Sequence, residues 1–143
     1  MPKKEAGFVF LPKTADVKFQ AFGKNLEEAL KNAAYAMFSL MVEERVVGRI
    51  KREIHTSAES EEELIVKFLE EFLFLRDSEG LILSSIENLK ITVGRGILNL
   101  NAIAMFDSLK NYKYREVVKA VTFNELNISK NQDRVVLQVV LDT

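Results

Sequence analysis

Two helix signatures lie before Gly80, and every apolar pattern beyond it is that of a β-strand. Asn25 with Glu28, and Ser60 with Glu63, have the spacing of a capping box, in which polar side chains bond backbone N–H groups at a helix start. Apolar residues recur at helical spacing after both caps. Two helices among consecutive strands predict an α+β fold with antiparallel sheets and both helices packed on one face.

The strand patterns predict the element order β-β-α-β-α-β-β-β-β. Two strands precede the first helix, and a charged strand over residues 46–56 separates the two helices. Beyond the second helix, a short apolar run at residues 81–83 is followed by strand patterns at residues 86–93, 97–106, 119–128 and 134–141. No repeat, low-complexity tract or linker interrupts this order, so we expect one domain over residues 1–143.

Composition excludes several classes of protein. The 143 residues are 48% hydrophobic, which suffices for a core, and the net charge of −1 disfavours autonomous binding to nucleic acids. Cysteine is absent, which excludes disulfides, thiol catalysis and thiolate metal sites. Residues 1–6 are followed by no long apolar run, and no stretch of about 18 apolar residues occurs. We therefore expect a cytoplasmic protein without a signal peptide or a membrane span.

No catalytic constellation can be named from the residues. His55 is the single histidine and lies in a charged strand without a cysteine or histidine companion, so a surface position is favoured over a catalytic one. Residues 94–96, Gly-Arg-Gly, lack the strand-to-helix context of a phosphate loop and predict a turn. A hydrolase that used the acidic residues would need a nucleophile or a base, and neither presents itself. An enzyme is therefore not predicted.

Oxygen-bearing residues occupy matching positions of two strands. Alternation directs Asp16 to the polar face of an early strand and Asp142 to the polar face of the last one. If these strands are neighbours, Asp16, Asp142 and the Thr143 carboxylate converge. Like charges repel, so each of these groups would be protonated or kept apart from the others unless a cation compensates them. All-oxygen ligands select a hard ion such as Ca²⁺ or Mg²⁺, whereas the Lys119 ammonium is an alternative compensator that needs no metal.

A second candidate surface is the segment of residues 110–115, which mixes three basic residues with two tyrosines. Such a mixture can contact RNA phosphates and bases, while tyrosine and arginine are also favoured in protein interfaces. The near-zero net charge of the chain favours contact with a protein over contact with RNA. A solvated, charged loop is the plain alternative.

Four motifs make the chain resemble the archease family. They are Leu11-Pro-Lys-Thr-Ala-Asp16, the Ala21-Phe-Gly23 turn into Leu26-Glu-Glu-Ala29, Lys119-Ala-Val-Thr-Phe123, and Asp142-Thr143. They occur in the family's order and span nearly the whole chain. The resemblance implies an accessory protein that is not itself a ligase. It implies that this protein assists the RtcB-type RNA ligase of tRNA splicing, promoting its guanylylation and its multiple turnover.

The resemblance also implies a metal centre that is typically occupied by calcium, with magnesium as the other hard ion to consider. Its ligands would be Asp16 of the Thr-Ala-Asp motif and the penultimate Asp142. Thr143 is the natural additional ligand, and Lys119 is implied to be a functionally important neighbour.

Two positions depart from the family pattern. Lys13 and Asn124 stand where histidines are usual. A lysine ammonium donates hydrogen bonds but cannot accept them, whereas an asparagine amide does both. The loss of both histidines together indicates that a coupled polar feature has changed.

The leading hypothesis is therefore an RNA ligase activator that presents a metal-bearing acidic tip to its partner. The runner-up is a chaperone-like modulator of a tRNA-modifying enzyme such as a tRNA cytosine methyltransferase, a role also associated with archease relatives. We expect weak or no direct binding of the chain to tRNA. We also expect no joining of RNA ends by the chain alone, because neither a nucleotide site nor a basic channel is recognisable.

Overall fold

The computed structural model describes residues 7–143. The expectation that the chain has no signal peptide concerns residues 1–6, which lie outside this range. Its two helices and seven strands follow the predicted order, which confirms the α+β class. The elements are β1 (Phe8–Leu11), β2 (Val17–Gly23), α1 (Leu26–Met41), β3 (Ile50–Ala58), α2 (Glu61–Glu79), β4 (Leu81–Gly94), β5 (Ile97–Ser108), β6 (Ala120–Lys130) and β7 (Val135–Asp142). A short 3-10 turn, Leu109–Asn111, follows β5.

Both helices begin at the predicted caps. The Asn25 side chain accepts a bond from the backbone N–H of Glu28 at 2.9 Å, and the Glu28 carboxylate accepts one from the backbone N–H of Lys24 at 2.6 Å. The Glu28 carboxylate thus bonds to the backbone N–H of Lys24, the residue before the cap, and not to that of Asn25 itself. Ser60 and Glu63 repeat this arrangement at the start of α2. Each pair satisfies backbone donors that the helix itself leaves without partners.

The β4–β5 hairpin corrects one boundary. Residues 81–83 and 86–93 form the single strand β4 instead of two separate runs, because irregular pairing near Ser85 shifts its register against β5 and breaks the apolar alternation. The strand ends at the predicted turn. Arg95 and Gly96 both have positive φ, 55° and 77°, as a two-residue type I′ turn requires.

The strands form two antiparallel sheets. Sheet A has the strand order β1-β2-β7-β6, and sheet B has the order β3-β5-β4. Helix α1 contacts β1, β2 and β7 of sheet A and β4 of sheet B, and α2 contacts β3 and β4 of sheet B and β6 of sheet A. Both helices therefore connect the two sheets, and most apolar side chains of α2 are buried.

Aromatic rings fill the centre of the core. Phe72 on α2 is fully buried and lies edge-on to Phe38 and Phe68, with ring centroids 6.0 and 5.0 Å away, and it also contacts Phe106 on β5. Edge-to-face contacts of this kind add to the free energy gained from burial. The core thus occupies the space between the helices and the sheets, and the ends of the sheets are left to position other side chains.

Within residues 7–143, neither helix combines the length and the apolar character that crossing a membrane would require.

Candidate functional site

Strands β2 and β7 bring two distant parts of the chain to one end of sheet A. They pair antiparallel in continuous register from Gly23 opposite Val135 to Val17 opposite Leu141. Asp16 directly precedes β2 and Asp142 is the last residue of β7, so they occupy the next facing positions. Facing residues of an antiparallel ladder have Cα atoms about 4.5–5.5 Å apart. Extended by one position, this register brings the main chains of Asp16 and Asp142 close together at one end of sheet A.

The pairing also gives both carboxylates the same face of the sheet. Phe19 of β2 and Val139 of β7 face each other and are fully buried in the core. Alternation therefore directs Asp16 and Asp142 away from the core. Asp16 is half-buried and Asp142 is exposed, as the polar-face prediction requires.

Lys119 and Thr143 lie beside this pair. The backbone N–H of Lys119 donates to the backbone carbonyl of Asp142 at 2.7 Å, and Ala120 is the residue of β6 that pairs with Asp142. Thr143 follows directly and is half-buried. We name the four residues Asp16, Lys119, Asp142 and Thr143 the acidic end.

No described residue neutralises the two carboxylates of the acidic end. Within residues 7–143, no side chain forms an ion pair or a hydrogen bond with the carboxylate of Asp16 or of Asp142. The Lys119 side chain is exposed and forms no ion pair with any acidic residue of that range. Its place in the acidic end comes from its main chain, so the metal-free compensation considered above is not the arrangement observed.

The donor set fits a hard cation and does not fit a soft one. Asp16, Asp142 and Thr143 offer only oxygen atoms, which suit Ca²⁺ or Mg²⁺. Among the described residues no three Asp, Glu, His or Cys side chains gather into a metal-holding group. Because Ca²⁺ takes six to eight oxygens, the two carboxylates and Thr143 would supply part of a coordination shell. Water or a partner's oxygens would have to complete it.

A second charged group spans the same face of sheet A. The Glu125 carboxylate of β6 pairs with the ammonium groups of Lys13 and Lys18, each at 3.0 Å. These hydrogen bonds, first that from Lys18 and then that from Lys13, lower the pKa of the Glu125 carboxyl. Because β7 lies between β2 and β6, the bridge passes over Val140, which faces Lys18 and is fully buried outside the main core.

A distortion of β6 makes this bridge possible. Pairing with β7 skips from Thr122 to Asn127, so residues 123–126 bulge out opposite the single residue Val139. Glu125 has a positive φ of 53°, and its carbonyl accepts a bond from Gln138 at 2.9 Å. A bulge of this kind redirects side chains out of the regular pleat.

The bridge connects the two positions that depart from the family pattern. Lys13 bonds to Glu125, the residue next to Asn124, whose backbone N–H donates to the Thr122 hydroxyl at 3.2 Å. The bridge therefore links Lys13 to the residue that directly follows Asn124. An ion pair is the polar feature found at these two positions.

The 110–115 segment is less free than a solvated loop. Tyr112 and Tyr114 are half-buried, and the Tyr114 hydroxyl accepts a bond from Arg76 at 3.1 Å. The backbone N–H of Arg115 donates to the Met41 carbonyl at 2.7 Å. Both tyrosines thus hold the segment to the rest of the molecule, whereas its three basic residues and Asn111 are exposed. His55 is exposed, as predicted, and contacts the Asn101 side chain.

Asp107 is a functional candidate that sequence reasoning missed. It is 2% exposed, and its carboxylate accepts bonds from the Tyr112 hydroxyl at 2.7 Å and the Ser108 N–H at 2.8 Å, with Asn111 and Arg49 as further partners. Burial raises the pKa of the Asp107 carboxyl, but these bonds and the arginine charge outweigh it and hold the pKa below its usual range. Among the residues that bond to Asp107, only Ser108 is adjacent to it in the sequence. No sequence pattern therefore predicts this network.

Known proteins share the fold and much of the sequence. The Archease protein family matches residues 8–143. The protein archease of Methanosarcina barkeri is 34% identical over 138 residues, which cover 94% of both chains. The solution structure of Methanobacterium thermoautotrophicum protein 1598 is 33% identical, with a TM-score of 0.85 over 97% of this chain and 100% of that one. The crystal structure of an archease, described as a possible chaperone, from Thermotoga maritima is 20% identical and has a TM-score of 0.60 over 93% and 94% of the two chains.

Proposed function

The chain belongs to the archease family, and we propose that it is an accessory protein that activates an RtcB-type RNA ligase in tRNA splicing or RNA repair. In this role it promotes guanylylation of the ligase and its multiple turnover. Family membership and the acidic end support the proposal together. We expect the chain itself to join no RNA, because its sequence shows neither a nucleotide-binding site nor a basic channel.

One observation carries the proposal. Asp16 precedes β2 and Asp142 ends β7, each one position beyond the paired residues Val17 and Leu141, and no described side chain compensates their charges. Two adjacent carboxylates repel each other, and a cation or a partner protein's cationic group would relieve that repulsion. The core residues of both strands hold the pair in place, so little ordering is required when a ligand arrives.

The cation that fits is a hard divalent ion, Ca²⁺ first and Mg²⁺ second. Asp16, Asp142 and Thr143 are the residues that would hold it. A bound divalent ion would supply a positive centre with open positions for oxygen ligands such as phosphate or carboxylate groups. Lys119, held beside Asp142 by its main chain, leaves its ammonium free to contact an anionic group of the partner.

A ligation assay with a purified RtcB-type ligase, broken tRNA and GTP tests the role. We expect this protein to raise the rate of joining or the number of turnovers per ligase, and to yield no joined product when it is incubated without the ligase. Joined product in that second incubation would make the acidic end an active site in its own right. Co-purification of a tRNA methyltransferase without a ligase, and no stimulation of joining, would favour the chaperone-like role instead.

Calorimetric titration with Ca²⁺ and Mg²⁺ tests the metal centre separately. We expect binding of one ion in the native chain and none when Asp16 is changed to asparagine. Ligase stimulation with no ion binding would show that a cationic side chain of the partner compensates the acidic end.

A further inference from the structure

A second concave site lies on the side of the molecule where the α1–β3 connection meets the end of β5. It is lined by Arg45, Val47, Arg49, Asn111 and Tyr112 and has a volume of about 520 Å³. This volume falls in the ordinary range of about 300–1,000 Å³ for sites that bind small molecules. We name it the arginine pocket. None of its lining residues is acidic, and two of the five carry a guanidinium group.

The buried Asp107 carboxylate organises the arginine pocket from behind. One guanidinium nitrogen of Arg49 pairs with Asp107, and the Tyr112 hydroxyl donates to the same carboxylate oxygen at 2.7 Å. The Tyr112 hydroxyl also accepts a bond from the Val47 backbone N–H at 2.9 Å, and the Asn111 amide donates to Asp107 at 3.2 Å. Three of the five lining residues therefore bond to one buried group, and a fourth, Val47, bonds to Tyr112, as in binding sites whose geometry is set before the ligand arrives.

The positive charge of the pocket is available to a ligand. Arg49 uses one nitrogen for Asp107, and more than half of its side chain, 57%, is exposed. A guanidinium carries five N–H donors, so several of those of Arg49 remain for an anion. Arg45 is exposed, and it forms no ion pair with any acidic residue between positions 7 and 143. Two guanidinium groups around a concave surface suit the planar, multidentate recognition of a phosphate.

The neighbouring cavity lacks these properties. It has a volume of about 590 Å³ and shares Arg45 and Val47 with the arginine pocket, but Glu43 and Glu44 line it and would repel a phosphate. The two cavities therefore differ in the charge of their lining residues. The arginine pocket also has the Tyr112 ring and the Val47 side chain in its wall, which offer apolar contact to a sugar or a base.

We propose that the arginine pocket binds a phosphate of a single-stranded RNA segment, with Arg45 and Arg49 on the phosphate oxygens and Tyr112 against the adjoining nucleoside. Lys110 and Lys113 flank the pocket in the sequence and are exposed, so they extend the positive surface along the strand. The site is small and the chain has a net charge of −1, so the affinity of the isolated protein is low. Binding is useful when another protein holds the same RNA nearby, because local concentration then multiplies a weak contact.

Arg45→Ala is the decisive variant, because Arg45 makes no ion pair that the described fold needs. Arg95→Asn is the matched control. It removes one guanidinium from the exposed β4–β5 turn, and asparagine tolerates the positive φ of 55° at that position. Arg49→Lys is the second variant, since lysine keeps the charge facing Asp107 but loses the planar fork. Thermal unfolding should show that all three variants are folded.

Fluorescence anisotropy with a labelled single-stranded RNA oligonucleotide at low salt measures the binding. We expect Arg45→Ala to weaken binding about 3- to 10-fold and to lower the slope of log affinity against log salt by about one. Arg49→Lys should weaken binding and Arg95→Asn should leave it unchanged. Equal losses in Arg45→Ala and Arg95→Asn would overturn the proposal, because they would show unspecific attraction to surface charge.

Amide NMR spectra identify the source of the anion. Added RNA should shift the signals of Val47, Asn111 and Tyr112, and inorganic phosphate should shift the same signals more weakly. An acidic peptide that displaced the RNA with equal affinity would assign the pocket to a protein carboxylate and overturn the RNA proposal. These measurements require neither a ligase nor a divalent ion, so their outcome is independent of the proposed function.

Discussion

The molecule uses aspartate in two opposite ways. Asp107 is buried at the end of β5 and accepts hydrogen bonds from four different residues, so neighbouring donors within the fold compensate its charge. Asp16 and Asp142 lie at the end of sheet A, where no described residue donates to their carboxylates. All three are aspartates next to strand ends. Their burial and the supply of donors around them differ.

This difference separates a structural acid from a ligand-binding acid. When a buried carboxylate with several hydrogen-bond donors is removed, those donors are left without an acceptor, and the folded state loses stability. Removal of an uncompensated carboxylate relieves repulsion and costs only the ligand. The two regions should therefore respond in opposite ways to the same substitution.

The largest effect should come from the acidic end. Asp16→Asn or Asp142→Asn should reduce ligase stimulation at least tenfold, because each change removes one of the charged ligands proposed for the cation. The melting temperature without divalent ions should change by no more than about 2 °C, and the rise that Ca²⁺ causes in the native protein should disappear. Asp133→Asn, in the exposed β6–β7 loop, is the control. A large loss of stability in Asp16→Asn without Ca²⁺ would show that Asp16 has a structural role, and Asp16 would then no longer differ from Asp107 in this respect.

Asp107 should show the reverse behaviour. Asp107→Ala leaves the Tyr112 hydroxyl, the Ser108 N–H and the Arg49 guanidinium without their acceptor, and we expect the melting temperature to fall by roughly 5–10 °C. Asp107→Asn should cost less because its amide oxygen still accepts bonds. Circular dichroism on heating measures both. Calcium binding should be unchanged, so a parallel loss of Ca²⁺ affinity would show that the two regions are coupled.

Acid should weaken the Asp107 region in a defined pH window. The folded pKa of Asp107 lies below its ordinary value of 3.8, so its ionised form stabilises the fold fully at higher pH. This contribution declines as the pH falls from about 3.8 through the lower folded pKa. Urea unfolding at pH 7 and below pH 4 should therefore show a gap between the native chain and Asp107→Asn that narrows in acid. A constant gap would mean that the carboxylate charge is irrelevant.

The smallest effect should come from the bridge beside the acidic end. Glu125→Gln releases Lys13 and Lys18, but exposed ion pairs contribute little, so the melting temperature should move by no more than about 2 °C. The two freed ammonium groups should repel a divalent ion near Asp16 and weaken Ca²⁺ binding by about 2- to 5-fold. Glu70→Gln, on the exposed face of α2, is the control for calorimetry. Equal Ca²⁺ affinities in Glu125→Gln and Glu70→Gln would show that the bridge does not affect the electrostatic potential at the acidic end.

Local features were predictable because local chemistry determines them. The caps at Asn25 and Ser60 depend on residues three positions away, and the Arg95-Gly96 turn depends on two residues. Alternation also assigned Asp16 and Asp142 to the polar faces of their strands before any pairing was known. The break at Ser85 was misleading, since a register shift within one strand imitates a strand boundary.

The remaining features depend on which strands are neighbours. The sequence by itself determined the helices, the α+β class and the polar faces of Asp16 and Asp142, because caps and periodicity act over a few residues. Only the tertiary structure decided that β2 pairs with β7, that Glu125 reaches Lys13 and Lys18 across β7, and that Asp107 is saturated. Those arrangements join residues that are far apart in the chain, such as Val17 and Leu141. The sequence around an aspartate therefore does not reveal which donors the folded chain brings to it.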